Sequence, residues 1–349
     1  MKASSSDSYY IDLLNTVITR IYQYGNLTIY ILGTVGDLLS IYIFLTKKWR
    51  KNVCVFYFLI CLLLSLIYLN STILATSLIT GWRINAVNSS IVLCKLMFYV
   101  TFVVALLLPT ILILASIDRL LISSQNVDTR LYSSRRLAYL LIGISIVFWT
   151  LFNLHILVRV HIQQIGPSSV ICYYDLSSAY FNFVNYSLTV FNCSFCLLMI
   201  VLSIFAFKNV RRIRSLPRQQ RRIIRTMTKK DFQLLRCLFV HDVVYISVSV
   251  ISSVYAVYQI TSRDQKRTPL QSAIANFLVN LFTFIYFTYY CCSFFIFVCV
   301  SKAFRQEVKQ LIFKTIGKDI RRMGGREEQQ QAEPNNIALN VEVVSGGVM

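Results

Sequence analysis

Long apolar runs dominate this chain, and short polar segments punctuate them. Seven runs reach the ~20 residues a helix needs to cross the ~30 Å hydrocarbon core of a bilayer. They lie near residues 27–46, 54–79, 95–122, 137–160, 180–207, 234–260 and 271–300. Each predicts one membrane-spanning helix. The second run is the weakest, because Asn70, Ser71 and Thr72 interrupt it. Polar residues inside a span usually face other helices rather than lipid. The connections are short, so the pattern predicts a single all-α membrane domain over 27–300, a seven-transmembrane helix bundle. Residues 1–26 are polar and aromatic with no early apolar core. They predict an N-terminal extension without a cleavable signal peptide. No internal repeat is visible, so inverted-repeat transporters gain no support.

The third run has two distinct ends. Cys94 opens it and Asp118-Arg119 closes it. As a helix, Cys94 to Asp118 rises ~36 Å, enough to put the cysteine at one membrane face and the acid-base pair at the other. After the seventh run, Phe304, Val308, Leu311 and Ile312 recur at helical spacing between Lys302, Arg305, Lys309 and Lys314. That predicts a short amphipathic helix over 301–316, lying on a membrane surface where basic residues meet anionic lipid. A solvated basic tail is the plainer alternative. Residues 317–349, rich in Gln, Asn and Gly toward the end, predict a disordered tail.

Composition agrees with the pattern. The chain is 56% hydrophobic and 14% charged, with a mean hydropathy of +0.59. A soluble domain would carry about 25% charged residues. The formal net charge of +20 could suggest nucleic acid. The basic residues, however, sit in short segments between apolar runs, and no aromatic stacking platform accompanies them. Of 35 Lys and Arg, 27 fall in 47–51, 119–136, 208–236 and 302–326. By the positive-inside rule these segments are cytoplasmic and the N-terminus is extracellular. The run from Arg211 to Arg225 is then mostly topology and lipid attraction. Asn88-Ser89-Ser90 becomes an exterior glycosylation sequon.

Catalytic and metal chemistry find no foothold. His155, His161 and His241 are scattered without metal-ligand spacing. Cys193 and Cys196 have a redox spacing, but inside an apolar run they read as packing. No Ser, His and acid series suggests hydrolysis. The sequence therefore predicts no enzyme, no metal and no cofactor.

Several marks occur in order along the bundle: Gly36-Asp37, Cys94, Asp118-Arg119-Leu120, Trp149, Cys172 and Phe304-Arg305. In this arrangement the chain resembles the rhodopsin-like (class A) G-protein-coupled receptors over roughly 27–316. It departs from them too. Asp37 stands where the family has Asn, and Ser65 (or Leu66) replaces the span-two carboxylate. Span five lacks its proline. Ser249, Val250 and Ile251 stand where the Trp-x-Pro pair belongs, and Ser293 to Phe297 replace Asn-Pro-x-x-Tyr. The resemblance is thus to a divergent branch, like the invertebrate neuropeptide-like and chemosensory receptors.

The resemblance implies roles for particular residues. Cys94 and Cys172 would form a disulfide at the exterior, oxidising face. Asp118, Arg119 and Asp231 would form a latch released when a heterotrimeric G protein docks. The plainer alternative has Arg119 snorkelling to lipid headgroups. Asp37 with Ser65 would make one intramembrane polar or cation-binding centre; a protonated, hydrogen-bonded Asp37 carries equal weight. Thr101 stands where aminergic relatives carry a cation-binding Asp, which disfavours a monoamine. Span seven has no Lys, which excludes a retinal Schiff base. A peptide or an apolar chemical cue remains, met by Thr101, Tyr173, Tyr174, Asp175, Tyr255, Tyr258, Asn276, Asn280 and Thr283, though plain helix packing explains each singly. The expected function is a plasma-membrane receptor that binds an extracellular ligand and activates a G protein. The alternative is a membrane channel or transporter, which would need polar residues along a path through several spans.

Overall fold

A computed structural model describes residues 5–84, 86–123, 133–164, 170–174, 179–215, 229–262, 265 and 267–314. Seven helices in it are long and apolar enough to cross a membrane: α1 Ser6–Phe44, α2 Val53–Gly81, α3 Ile91–Ile122, α4 Arg135–Arg159, α5 Ala179–Asn209, α6 Lys230–Thr261 and α7 Pro269–Val300. Among the described residues the chain is an all-α bundle of these seven, with one β-hairpin between α4 and α5. A shorter helix, α8, follows over residues 302–314.

Local chemistry sets where the helices start. The Asn52 side chain accepts the Cys54 N–H at the head of α2. Ser90 and Ser134 do the same for Leu93 and Leu137 at α3 and α4. Thr268 and Gln271 form a reciprocal capping box at α7, with Pro269 just inside.

Two features go beyond the hydrophobic pattern. First, α1 starts some twenty residues ahead of its apolar run. Its leading segment, Ser5–Arg20, carries Asp7 in the first turn and Arg20 in the last, which suits the helix dipole. This segment packs along α7, and the Tyr22 hydroxyl donates to the Asn280 carbonyl at 3.3 Å. Contact with α7 and the favourably charged ends support this helix, which is otherwise largely exposed, with Ile18 its one buried side chain among residues 6–20. Second, the polar interruption in α2 is a π-helical turn, Leu69–Ile73. There Asn70 and Ser71 donate to the carbonyls of Leu66 and Ile67, competing with the backbone for its acceptors. Two more π turns occupy Ile21–Gly25 in α1 and Ser77–Gly81 in α2, and they pack together.

The contact between α1 and α7 depends on small residues. A Cβ on Gly36 would lie 2.8 Å from the Phe294 Cβ, which its own backbone holds in place. Gly36→Ala is expected to cost roughly 1–3 kcal/mol by overpacking, read as a lower melting temperature of the purified protein. The hairpin strands β1 Val160–Gln164 and β2 Val170–Tyr174 run antiparallel, with Ile162 opposite Cys172. β-Branched residues such as Val160, Ile162 and Ile171 favour this extended pairing.

Candidate functional site

The end of the bundle that carries Asp118-Arg119 is a polar cluster drawn from four segments. Arg119 is fully buried. Its Nη2 lies 2.5 Å from Asp118 Oδ2, and its Nε donates to the same oxygen at 3.1 Å. Its Nη1 faces Asp231 Oδ1 on α6 at 3.5 Å, beyond good hydrogen-bond geometry, and has no hydrogen-bond partner. The structure thus brings together the three residues singled out for a latch. Two further side chains hold them. Asn52 Nδ2 donates to Asp231 Oδ1 at 2.5 Å, and Ser133 Oγ donates to Asp118 Oδ1 at 2.5 Å. Neither Asn52 nor Ser133 stood out in the sequence; their only signal was a polar residue at the start of a helix. A third link joins α6 to the end of α7, where Ser301 Oγ donates to Gln233 Oε1 at 3.0 Å. The Lys230 ammonium sits 5.3 Å over the Trp49 ring.

Electrostatics make this cluster uneven. The near carboxylate gives Arg119 two charge-assisted bonds, whereas Asp231 offers only a longer contact and shares its oxygen with Asn52. Asp231 is also the more exposed of the two acids, with 16% of its side chain accessible against 5% for Asp118. Contact between α3 and α6 is therefore the weaker seam.

Two carboxylates lie deeper. Asp37 on α1 is buried, and neither of its oxygens has a hydrogen-bond partner. Ser65 neighbours it, but the Ser65 hydroxyl donates to the Tyr290 carbonyl of α7 at 3.0 Å. The paired centre expected from sequence is thus an apposition of α1, α2 and α7 rather than a hydrogen-bonded pair. Asp242 on α6 is the second of them. Its Oδ2 accepts from Ser116 of α3 at 3.2 Å and from Ser203 of α5 at 3.0 Å, while Oδ1 is unpartnered. This carboxyl ties three helices together one turn before Arg119 along α3. Ser116 precedes Arg119 by three residues and so shares its helix face.

At the opposite end, Cys94 and Cys172 form a disulfide with a Cα separation of 5.6 Å. It fastens the hairpin to the head of α3. Asn88, on the single turn Ala86–Ser89, accepts the Cys172 N–H on its Oδ1 at 3.0 Å. The amide that heads the sequon thus also supports the hairpin. Tyr173 and Tyr174 stack 4.2 Å apart, and Phe98 meets Tyr173 edge-on at 5.5 Å. Burial pushes both phenols above the usual tyrosine range, so they stay neutral. Asp175 lies outside the described residues.

The remaining ligand candidates fall apart from this hairpin group. Thr101 donates to the Met97 carbonyl at 2.7 Å and meets Thr72 of α2 at 2.6 Å. The Tyr255 hydroxyl donates to the Ala275 carbonyl at 2.6 Å, and the Arg267 guanidinium lies 6.0 Å over the Tyr258 ring. Asn280 and Thr283 donate to the carbonyls of Asn276 and Val279 in their own helix. No hydrogen bond or ring contact among the described residues joins Tyr173 and Tyr174 to Tyr255, Tyr258, Asn276, Asn280 or Thr283. Thr101, Tyr255, Asn280 and Thr283 thus have their polar atoms occupied within or between helices.

Among the described residues, no group of His, Cys, Asp and Glu is placed to hold a metal ion. The imidazole of His241 is buried between Phe58 and Phe297 and bonds the Cys237 carbonyl at 2.8 Å. Arg211 is exposed; side chains from 212 to 229 lie outside the described residues. Taken together, these features define a multi-pass membrane protein of seven helices, with a disulfide-bound hairpin at one end and a buried acid–arginine cluster at the other. No family model and no curated protein matches the chain.

Proposed function

We propose that the chain is a G-protein-coupled receptor of the plasma membrane, without catalytic activity. Its N-terminus, disulfide and hairpin face the exterior, and its Asp118–Arg119 end faces the cytoplasm. The observation that carries this reading is the state of Arg119. A fully buried guanidinium is held firmly by an acid on its own helix and loosely, at 3.5 Å, by Asp231 on another. Such a pair can hold α6 against α3 at rest and release it at small cost.

The mechanism follows from that inequality. An extracellular ligand that favours an α6-outward state shifts an existing equilibrium toward it. Outward movement of α6 parts Arg119 from Asp231 and breaks the Asn52–Asp231 bond. Arg119, still oriented by Asp118, then lines the vacated groove and can donate to backbone carbonyls of an inserted G-protein helix. The excess of Lys and Arg on the segments of this face supports the orientation and suits contact with anionic lipid. The ligand is a peptide or an apolar cue rather than a monoamine, since Thr101 stands where a cation-binding Asp would be needed. Glycosylation at Asn88 belongs to the same topology.

Asp231→Asn tests the seam. It removes the charge opposite Arg119 and keeps the shape. An ion pair of this partly exposed kind contributes about 1 kcal/mol, so basal nucleotide exchange on a reconstituted G protein should rise about fivefold. Basal exchange equal to the parent protein's would count against the latch. A channel or transporter is the second reading, favoured by the unpartnered oxygens of Asp37 and Asp242. Those two acids belong to separate helix contacts, and ion flux in the absence of any G protein would select that reading.

A further inference from the structure

We infer that the recess between the leading half of α1 and Arg83 is a binding site for a carboxylate-bearing ligand. The recess has a volume of about 330 Å³, and every side chain lining it is polar. Asp12, Asn15, Thr16, Thr19 and Gln23 recur at helical spacing along α1 and give it one continuous polar wall, to which Arg20 also belongs. Arg83, just past the end of α2, completes the lining.

The backbone is built to put Arg83 there. The π turns Ile21–Gly25 and Ser77–Gly81 pack against each other, and π turns inside helices often mark functional sites. Their closest approach needs Gly81, where a Cβ would lie 2.8 Å from the Gln23 Cα. Beyond Gly81 the chain folds back on α2, with Trp82 N–H donating to the Ser77 carbonyl and Ile84 N–H to the Leu78 carbonyl. Arg83 between them has a φ of 56°, the one positive φ at a non-glycine position among the described residues. Arginine in that conformation is uncommon, and such strain persists only where surrounding structure enforces it.

The charge of the recess then selects its guest. The Arg83 guanidinium makes no hydrogen bond or ion pair among the described residues. Arg20 is steadied by its neighbours, its Nη1 donating to Gln23 Oε1 at 3.1 Å. Two guanidinium groups face one carboxylate, Asp12, and no ion pair joins them. The surplus is a single positive charge, which matches a monoanion. A planar carboxylate fits the guanidinium fork, and its one negative charge balances the surplus that a dianion would exceed. Asp12 in turn can accept from an amide N–H near the ligand's carboxylate. The inference rests on the receptor reading only for the side from which the ligand arrives.

The test uses the purified full-length protein in lipid nanodiscs, without G protein, so its outcome is independent of coupling. The probes are N-acetyl-alanyl-phenylalanine, its C-terminal amide, and butyrate, with binding followed calorimetrically. The acid should bind at least about tenfold more tightly than the amide, the scale of a lost charge-assisted bond. Arg83→Asn and Arg20→Gln should each weaken acid binding by about that factor. Asn adopts positive φ more readily than Arg, so the Arg83→Asn protein should melt no lower than the parent. Binding of butyrate as strong as the peptide acid's would assign the site to free carboxylic acids; binding of the peptide acid alone would assign it to peptide C-termini. Equal binding of acid and amide, unchanged binding in Arg83→Asn, or no binding of either acid overturns the inference. So does an equal loss in Lys95→Gln, which would mark the effect as bulk charge.

Discussion

Arg119→Ala is expected to abolish ligand-driven nucleotide exchange on the G protein while leaving the amount of protein at the cell surface near that of the parent. Both halves of the expectation come from the cluster around this residue. Signalling should vanish because Asp118 already orients the guanidinium, and no other described cation occupies that place on α3. Surface delivery should survive because the acids left behind are not stranded. Asp118 keeps the Ser133 hydroxyl, and Asp231 keeps the Asn52 amide and partial solvent access. A buried charge that loses its only partner costs about 3–5 kcal/mol, but these acids each retain one. Second-messenger output and antibody labelling of unpermeabilised cells measure the two halves separately. Normal output at normal surface density would end the latch reading. Loss of both would instead make Arg119 a folding residue.

The second large effect is expected from Cys172→Ser. The disulfide spans a sequence separation of 78, and in the chain-entropy model a closure of that size contributes about 4–5 kcal/mol. Its loss also frees the hairpin from α3, leaving the Asn88 bond to the Cys172 N–H as a tie near that point. Tyr174, buried beside the bridge, would then be exposed with its aromatic neighbours. Surface expression should fall severalfold, and the purified remainder should melt well below the parent. Cys94→Ser should match it, and the double substitution should add little, because one bond is removed in all three. Independent, additive losses would mean that the cysteines matter as separate packing groups.

The helices were legible because lipid imposes a simple rule. A backbone in hydrocarbon must satisfy its own hydrogen bonds, so apolar length alone predicts a helix. That rule is silent where water or protein replaces lipid. Residues 5–20 of α1 are helical with support from α7 and from their charged ends, and their polar composition hid them. The hairpin at Val160–Tyr174 lies between spans, where short β-branched stretches carry little signal. At the site, Asp118, Arg119 and Asp231 were readable because charge is scarce in and beside the apolar runs, and Cys94 and Cys172 because the family resemblance marks their positions. Their supports were not. Asn52 and Ser133 are ordinary polar residues at helix starts, and only the folded arrangement turns them toward the acids. The expected ligand residues fared differently, since a polar side chain inside a span can satisfy itself on its own helix. Thr283 and Asn280 do so, and periodicity cannot reveal that in advance.

The length of α1 has a practical consequence. At 1.5 Å per residue the 39 residues from Ser6 to Phe44 reach about 58 Å, roughly twice the hydrocarbon thickness. A label or reporter domain joined just ahead of Ser5 would therefore not ride on a slack tether. It would stand about 30 Å along the helix axis from Asn26, on a helix braced against α7. Distance-dependent fluorescence between such a reporter and a dye in the bilayer would then register tilting of α1 directly, as a change in altitude.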